Sequence, residues 1–379
     1  REGTGVFDDF FELGGHSLSA TQVAARTREV LGVELPLRRF FDHPTIAETA
    51  EWIRSGQQSA DLPPITRVST NGTAPLSFSQ ERMWFMQELS AEDTAYNISG
   101  AVLLEGELDV ERLRAAFERV ARRQDALRTR IRTVRGRASQ VVLPEPDHLF
   151  LVEDLTHVPR EERLDRAKEF AADVMNTAYK LAEDPLLRVL VIKLEETTHL
   201  LAVGMHHAIS DMWSFGILAR ELADAYNDPG APAAELPVTY RDFAIWQREW
   251  LTGTTLQAQL DYWSQRLAGV SNLELPTDFP RPLFYAFEGR TLRADIPRSL
   301  RVAIQRVSVE ERATPFMVLL AAFNLLLSAH SRQTDLAVGV PIANRTQTAT
   351  EGLIGTFINT PVHRNDLTGD PPFRELIAR

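Results

Sequence analysis

From residue 75 onward the chain switches between two hydrophobic periods. Apolar residues return every three to four positions over 78–89, 110–124, 160–175 and 211–226, which predicts helices. They alternate or run together over 100–104, 127–134, 140–143, 187–194 and 199–204, which predicts strands. That mixture is α/β. In the helix 110–124, Leu113, Phe117 and Val120 share the apolar side, and Arg112, Arg119 and Arg122 lie elsewhere. The first 55 residues read differently, as a small helical unit. Ser17 opens a helix whose Ala20, Val23, Ala24, Thr27 and Leu31 form one stripe, stopped by Gly32. Between the two regions SGQQSADLPPITRVSTNGTA, residues 55–74, has no periodicity and reads as a linker at a domain boundary. The longest apolar run, 316–327, is broken by Asn324 and is too short to span a bilayer, so it reads as a buried helix. No internal repeat, low-complexity tract or phosphate-binding glycine loop appears.

Composition narrows the class. With 379 residues, 44% of them hydrophobic, there is material for two or three domains. A net charge of -11 argues against nucleic acid or anionic membrane as the main partner. The pairs Arg38-Arg39 and Arg122-Arg123 read as solvated faces, and the first 55 residues set six arginines against nine acidic side chains. There is no cysteine, which excludes disulfides, cysteine-ligated zinc and a cysteine nucleophile. Any thioester chemistry therefore needs a thiol from a prosthetic group. No signal-peptide pattern precedes the helical unit and the first residue is Arg1, so a soluble cytoplasmic piece of a longer protein is expected.

Candidate chemistry concentrates at Met205-His206-His207-Ala208-Ile209-Ser210-Asp211, where the strand 199–204 runs into an amphipathic helix. Two imidazoles and a carboxylate at a strand exit suit acid/base work, although hydrogen-bonded polar residues closing a strand look the same. A second segment is Asp9-Phe10-Phe11-Glu12-Leu13-Gly14-Gly15-His16-Ser17-Leu18. It resembles the thiolation (peptidyl carrier) domain of nonribosomal peptide synthetases, whose pattern around the phosphopantetheine-bearing serine is DxFFxLGGxSL. The resemblance implies 4'-phosphopantetheine on Ser17, where the phosphodiester would face the positive end of the helix.

Five further segments, in order, resemble motifs of the condensation domain of the same synthetases. Phe78 to Phe85 looks like SxAQxRxWF, Asp125-Ala126-Leu127-Arg128-Thr129 like HExLRT, and His206 to Asp211 like HHxxxDG. Tyr240 to Gln247 looks like YxDFAxWQ and Gly355 to Thr360 like IGxFVNT. Trp84, Phe85, Phe243 and Trp246 within them are spaced as core residues. There are departures: Met212 replaces the motif glycine and is expected to fill space beside the active centre, Gln124 stands for a His, and Lys180 for an Asp.

The resemblance implies a small all-α four-helix carrier domain followed by an α/β chloramphenicol-acetyltransferase-like condensation domain, two lobes in a V around a tunnel. The expected boundaries are 1–55 for the carrier, 56–74 for the linker, 75–250 for the N-lobe and 251–379 for an incomplete C-lobe. It further implies amide formation between a donor thioester on this carrier and the amine of a downstream aminoacyl thioester. Its partners would be flanking synthetase domains, an acceptor carrier and a phosphopantetheinyl transferase, with no metal. His207, His206 and Asp211 would form the catalytic set, His207 orienting or deprotonating the amine, and Asp211 would pair with a buried arginine, Arg345 first and Arg128 second. A noncatalytic docking or recruitment module, or an epimerisation-type member of the superfamily, are the alternatives.

Ser17 is expected to be the one attachment point. Incubation with a phosphopantetheinyl transferase and coenzyme A should add a single prosthetic mass, and Ser17→Ala should add none; modification that persists in the variant would overturn the carrier assignment.

Overall fold

A computed structural model describes residues 4–379 apart from 12, 14, 16, 34, 37, 38, 40, 41, 56–61, 233, 282–288 and 290. Gly14 and His16 of the carrier motif, Arg38 and the start of the linker lie outside the described residues, as does the side chain of Ser17. In the carrier, α1 (Ser17–Leu31) and α2 (Ile46–Arg54) are the helices bounded within the described residues. Ala20 and Ala24 pack with Leu35 against Phe10, Phe11 and Trp52, and Gly32 ends α1 with φ +65°. The buried stripe is narrower than expected: Ala20, Ala24 and Thr27 are covered, but Val23 and Leu31 are exposed, because so small a unit has little to lay over a wide face. Gly15 has a steric reason: a Cβ there would fall 2.4 Å from the Phe10 ring. Thr45 caps α2, accepting the Glu48 N–H while the Glu48 carboxylate takes the Thr45 N–H in return.

The larger domain begins with β1 (Thr73–Pro75), α3 (Phe78–Leu89), β2 (Asn97–Glu105), α4 (Val110–Arg123) and a 3-10 turn, Asp125–Arg128. It continues through β3 (Thr129–Val134), β4 (Arg137–Val142), β5 (Leu149–Asp154), α5 (Arg160–Met175), β6 (Leu187–Glu195), β7 (Thr198–His206) and α6 (Met212–Asn227). Then follow α7 (Tyr240–Trp250), α8 (Gly253–Arg266), α9 (Arg298–Glu310), α10 (Pro315–Ser331), β8 (Asp335–Gly339), β9 (Val362–Asp366) and α11 (Phe373–Ala378). The expected α/β alternation is present. Two strands were not expected: β1, which is only three residues long, and the edge strand β5, although its Leu149 to Val152 form an apolar run.

One sheet has the order β2-β7-β6-β5, with only β5 and β6 parallel; β1-β4-β3 forms a second, and β8 pairs with β9. The central strands β6 and β7 are covered on both faces, which is why they read as nearly continuous apolar runs. Leu187, Val189 and Val191 join Leu113, Phe117 and Val120 of α4 and Ile217 and Leu218 of α6 in one core. Leu190, Ile192, Leu200 and Ala202 meet Ala167, Ala171 and Met175 of α5 in another. Each such fully buried aliphatic side chain contributes about 1.5–3 kcal/mol. The last motif segment also enters the first core, bringing Leu353, Ile354 and Phe357 against Tyr240 and Phe243. Gly355 permits this approach, because a Cβ there would lie 2.0 Å from the Tyr240 ring.

Two expectations change. The apolar run in α10 is not buried all round: Val318, Ala321, Asn324 and Leu327 face a third core, whereas Phe316, Leu319, Phe323 and Leu326 are exposed. Among the described residues no single helix is long and apolar enough to cross a membrane; α9 and α10 together bend by 104°. Phe85 is exposed, not core, because α3 buries Met83 and Gln80 and turns that side outward. Beyond residue 61 the linker is strapped to the domain, its Val68 N–H donating to Asp242 (2.9 Å) and its Pro63 carbonyl accepting from the Trp246 indole (2.7 Å).

Candidate active site

The site grows from the end of β7. Ladder pairing with β2 sets His206 opposite Asn97, and the backbone then turns, His207 N–H donating to the Tyr96 carbonyl (2.8 Å) and Ile209 N–H to the His206 carbonyl (3.0 Å). Period-2 geometry sends the two adjacent imidazoles in different directions. His206 is completely buried, its ring set edge-on to Tyr179 with centroids 5.7 Å apart, and the Arg188 guanidinium lies 3.6 Å from the centre of the Tyr179 ring. His206 Nδ1 accepts the Ala208 N–H at 3.0 Å, so the proton of the neutral ring is on Nε2. Burial, with smaller contributions from His207 and Arg188, pushes its pKa down to about 3. His206 is thus a neutral, enclosed residue.

His207 is half-buried and differs in every respect that matters. Its Nδ1 lies 2.8 Å from the Ser210 carbonyl, an acceptor only, so Nδ1 carries the proton and Nε2 presents a lone pair. The loop that supplies that carbonyl is fixed by Asp211. This residue caps α6, accepting the Ser214 N–H (2.9 Å) on Oδ1, and its Oδ2 accepts the Phe357 N–H (3.2 Å). Arg345 Nη2 approaches Oδ1 and Oδ2 at 3.1 and 3.3 Å. Arg345 is itself buried, its other Nη donating to the Leu353 and Thr350 carbonyls and its guanidinium lying 4.0 Å from the centre of the Phe357 ring. Removal from water lowers its pKa, and Asp211 opposes the shift. Asp211 therefore sits among bonds that join the α6 cap, Arg345 and the Phe357 backbone. Arg128 is elsewhere, bonded to Asp125 (2.8 Å) and to the Ala121 carbonyl (2.9 Å).

The departures acquire positions. Gln124 is buried, donating to Glu221 (2.8 Å) and the Gly352 carbonyl (3.1 Å) and accepting from Ile354 N–H (3.0 Å), so it ties α4 to the segment that follows Arg345. Lys180 is at the surface beside Glu183. Met212 does not fill the centre: it is the first residue of α6 and 73% exposed, because the Asp211 cap turns the chain outward there. Sequence reasoning missed Ser214, whose buried Oγ donates to Asp211 (2.7 Å) and accepts from the Gly355 N–H (3.1 Å). The three-residue spacing from Asp211 is the capping-box signal that would have found it.

The chain thus combines a small helical unit with an α/β domain that carries a His pair at a strand exit. Comparison with known proteins makes the assignment specific. The Condensation domain family model matches residues 70–379, and the Phosphopantetheine attachment site model matches residues 4–53. The chain belongs to the condensation-domain family and carries a phosphopantetheine attachment domain in front of it. It is similar to a linear gramicidin synthase of Brevibacillus parabrevis, 42% identical over all of this chain and 8% of that protein. It is also 41% identical to the phosphinothricin tripeptide synthetase PhsB of Streptomyces viridochromogenes, over all of this chain and 32% of that one. The chain thus spans a minor part of these relatives. The X-domain of teicoplanin biosynthesis, solved in complex with OxyB, superimposes with a TM-score of 0.74 at 26% identity over 85% of this chain and 71% of that one. The fold is the chloramphenicol-acetyltransferase-like fold of condensation domains.

Asp211→Asn should lower stability by about 3–5 kcal/mol, because Arg345 would be left buried without its counter-charge. Thermal unfolding and activity should fall together; an unchanged melting curve would remove the clamp role. A second expectation concerns pH. Between about 3 and the unfolded value near 6.5, the unfolded chain binds a proton at His206 that the folded chain refuses. The stability is therefore complete above pH 6.5 and falls on acidification, by up to about 1.4 kcal/mol per unit. His206→Asn, which keeps an acceptor for Ala208, should show a shallower loss from pH 7 to 5 in denaturant titrations than wild type; equal slopes would mean that His206 is not held neutral.

Proposed function

We propose that this chain takes part in nonribosomal peptide synthesis, its carrier holding a donor acyl or peptidyl thioester on Ser17 and its condensation domain forming an amide with a downstream aminoacyl thioester. The observation that carries the reading is the orientation of His207: Nδ1–H fixed on the Ser210 carbonyl and Nε2 left to accept. Ser17 fits the prosthetic group because it begins the fifteen-residue α1, whose N-terminal amides favour a phosphodiester, and because the chain has no thiol of its own. When bound, the group supplies the thiol whose acyl thioester the amine displaces, the C–N bond forming as the C–S bond breaks.

The residues of this chain have separate tasks. His207 Nε2 accepts a hydrogen bond from the incoming amine, orienting its lone pair, and takes up its proton as the C–N bond forms. That proton then passes to the departing thiolate, which balances the exchange. Asp211 and Arg345 act by holding the turn, and His206 by closing the strand beneath it. An α-amine with a reference pKa of about 7.7–8.0 is already partly neutral at pH 7. Well-oriented reactants gain on the order of 7–11 kcal/mol from positioning, whereas a general base typically adds about 10² to 10⁴ fold. Orientation therefore outweighs proton transfer. The need for coenzyme A as the source of the prosthetic group supports a cytoplasmic setting, with a phosphopantetheinyl transferase, flanking synthetase domains and an acceptor carrier as partners.

Likeness to the X-domain solved with OxyB favours a recruitment module as the second reading. One assay separates them. Donor-loaded protein mixed with a soluble acceptor amine should yield amide, and His207→Ala should slow single-turnover formation by about 10² to 10³ fold. A variant as fast as wild type would remove His207 from the chemistry, and no amide from wild type would favour recruitment.

A further inference from the structure

Met212 replaces the motif glycine, yet it lies outside the centre, with its thioether side chain 73% exposed. It faces a cleft of about 590 Å³ between the two domains, lined by Gln22 and Arg26 of the carrier and by Met212, Trp213, Arg220 and Glu351 of the condensation domain. Glu351 is the unusual member. Its Oε1 is buried without a hydrogen-bond partner among the described residues, and its Oε2 lies 3.7 Å from Arg26 Nη2. The side chains are 18% and 68% exposed respectively.

A carboxylate withdrawn from water with one oxygen unpaired favours a nearby cation. Arg26 supplies that cation from a domain whose overall balance is acidic. An ion pair with one partner so exposed adds little stability, but its sign discriminates between surfaces. The cleft is also joined to the site framework. Trp213 donates its indole N–H to the Glu351 carbonyl at 3.1 Å, and the segment from Arg345 to Glu351 leads directly into the clamp on Asp211.

We propose that Glu351 and Met212 form the surface on which the condensation domain receives its own carrier. Arg26 is the charge that registers the carrier, and Met212 is the apolar seat for the α1 face around Gln22. Both condensation-domain residues are positioning residues: they act through placement of the carrier, not on reacting atoms. The inference rests on the donor-carrier reading above and adds the recognition surface to it.

The absence of cysteine among these 379 residues provides a clean test in the phosphopantetheine-loaded chain. Gln22→Cys with Gly216→Cys, a cleft position on α6 that leaves Met212 in place and has room for a side chain, should be joined by a short bismaleimide and yield one linked peptide pair by mass spectrometry. Adding Arg26→Glu should reduce the yield about tenfold, and adding Glu351→Arg as well should restore it. Single-turnover amide formation from the Ser17-linked donor should follow the same order in the cysteine-free chain, and Met212→Gly should lower it about threefold. All these variants should match wild type when the donor is a free pantetheine thioester. No cross-link in the parent pair, or full cross-linking and carrier-delivered rates in Arg26→Glu, would overturn the docking surface. Failure of wild type with either donor would instead count against the function, while the cross-linking result would still decide the surface.

Discussion

The ion pair between Asp211 and Arg345 is the constraint on which the rest of the site depends. It joins residues 134 positions apart, and nearly every lone pair and proton around it is used: the α6 cap, Ser214, Phe357 N–H and two carbonyls of the Arg345 segment. A charge pair taken out of water is not stabilising unless such bonds surround it. Here they do, and they fix the turn that follows β7. The clamp determines where the Ser210 carbonyl points, and that carbonyl determines which nitrogen of His207 carries the proton.

Adjacent histidines with equal chemistry are made unequal by position. His206 faces the sheet interior beside Tyr179 and Arg188, where burial excludes its charged form, and becomes part of the wall. His207 lies one residue further along, on the other side of the strand end, and keeps an accepting nitrogen. Removing the charge from one ring also spares the other a cationic neighbour. The same dependence on position appears in the last motif, where Gly355 lets Tyr240 close over the segment and Phe357 N–H reaches Asp211.

Much of this was legible beforehand because it is local. The helices 78–89, 110–124 and 160–175 follow from apolar spacing, and β6 and β7 from apolar runs covered on both faces. The motif order identified the domains, since chance does not place five such segments in sequence. The Asp211 to Ser214 spacing was present as a cap signal. Strand β1 was not, because three residues are too few to show a period, and β5 was passed over although Leu149 to Val152 form a short apolar run. Nor could the exposed faces of α10 be read, because an apolar run does not say which of its sides a neighbour will cover.

By itself the sequence determined the classes of chemistry: a serine at a helix start in place of any cysteine, an imidazole pair at a strand exit, and a carboxylate that must find a cation. Tertiary structure decided the assignments within them. Which arginine meets Asp211, which imidazole is buried, and whether Met212 faces the centre or the carrier all depend on long-range juxtaposition. Such pairings follow from how layers pack and which groups lose water, and spacing along one chain carries no record of either.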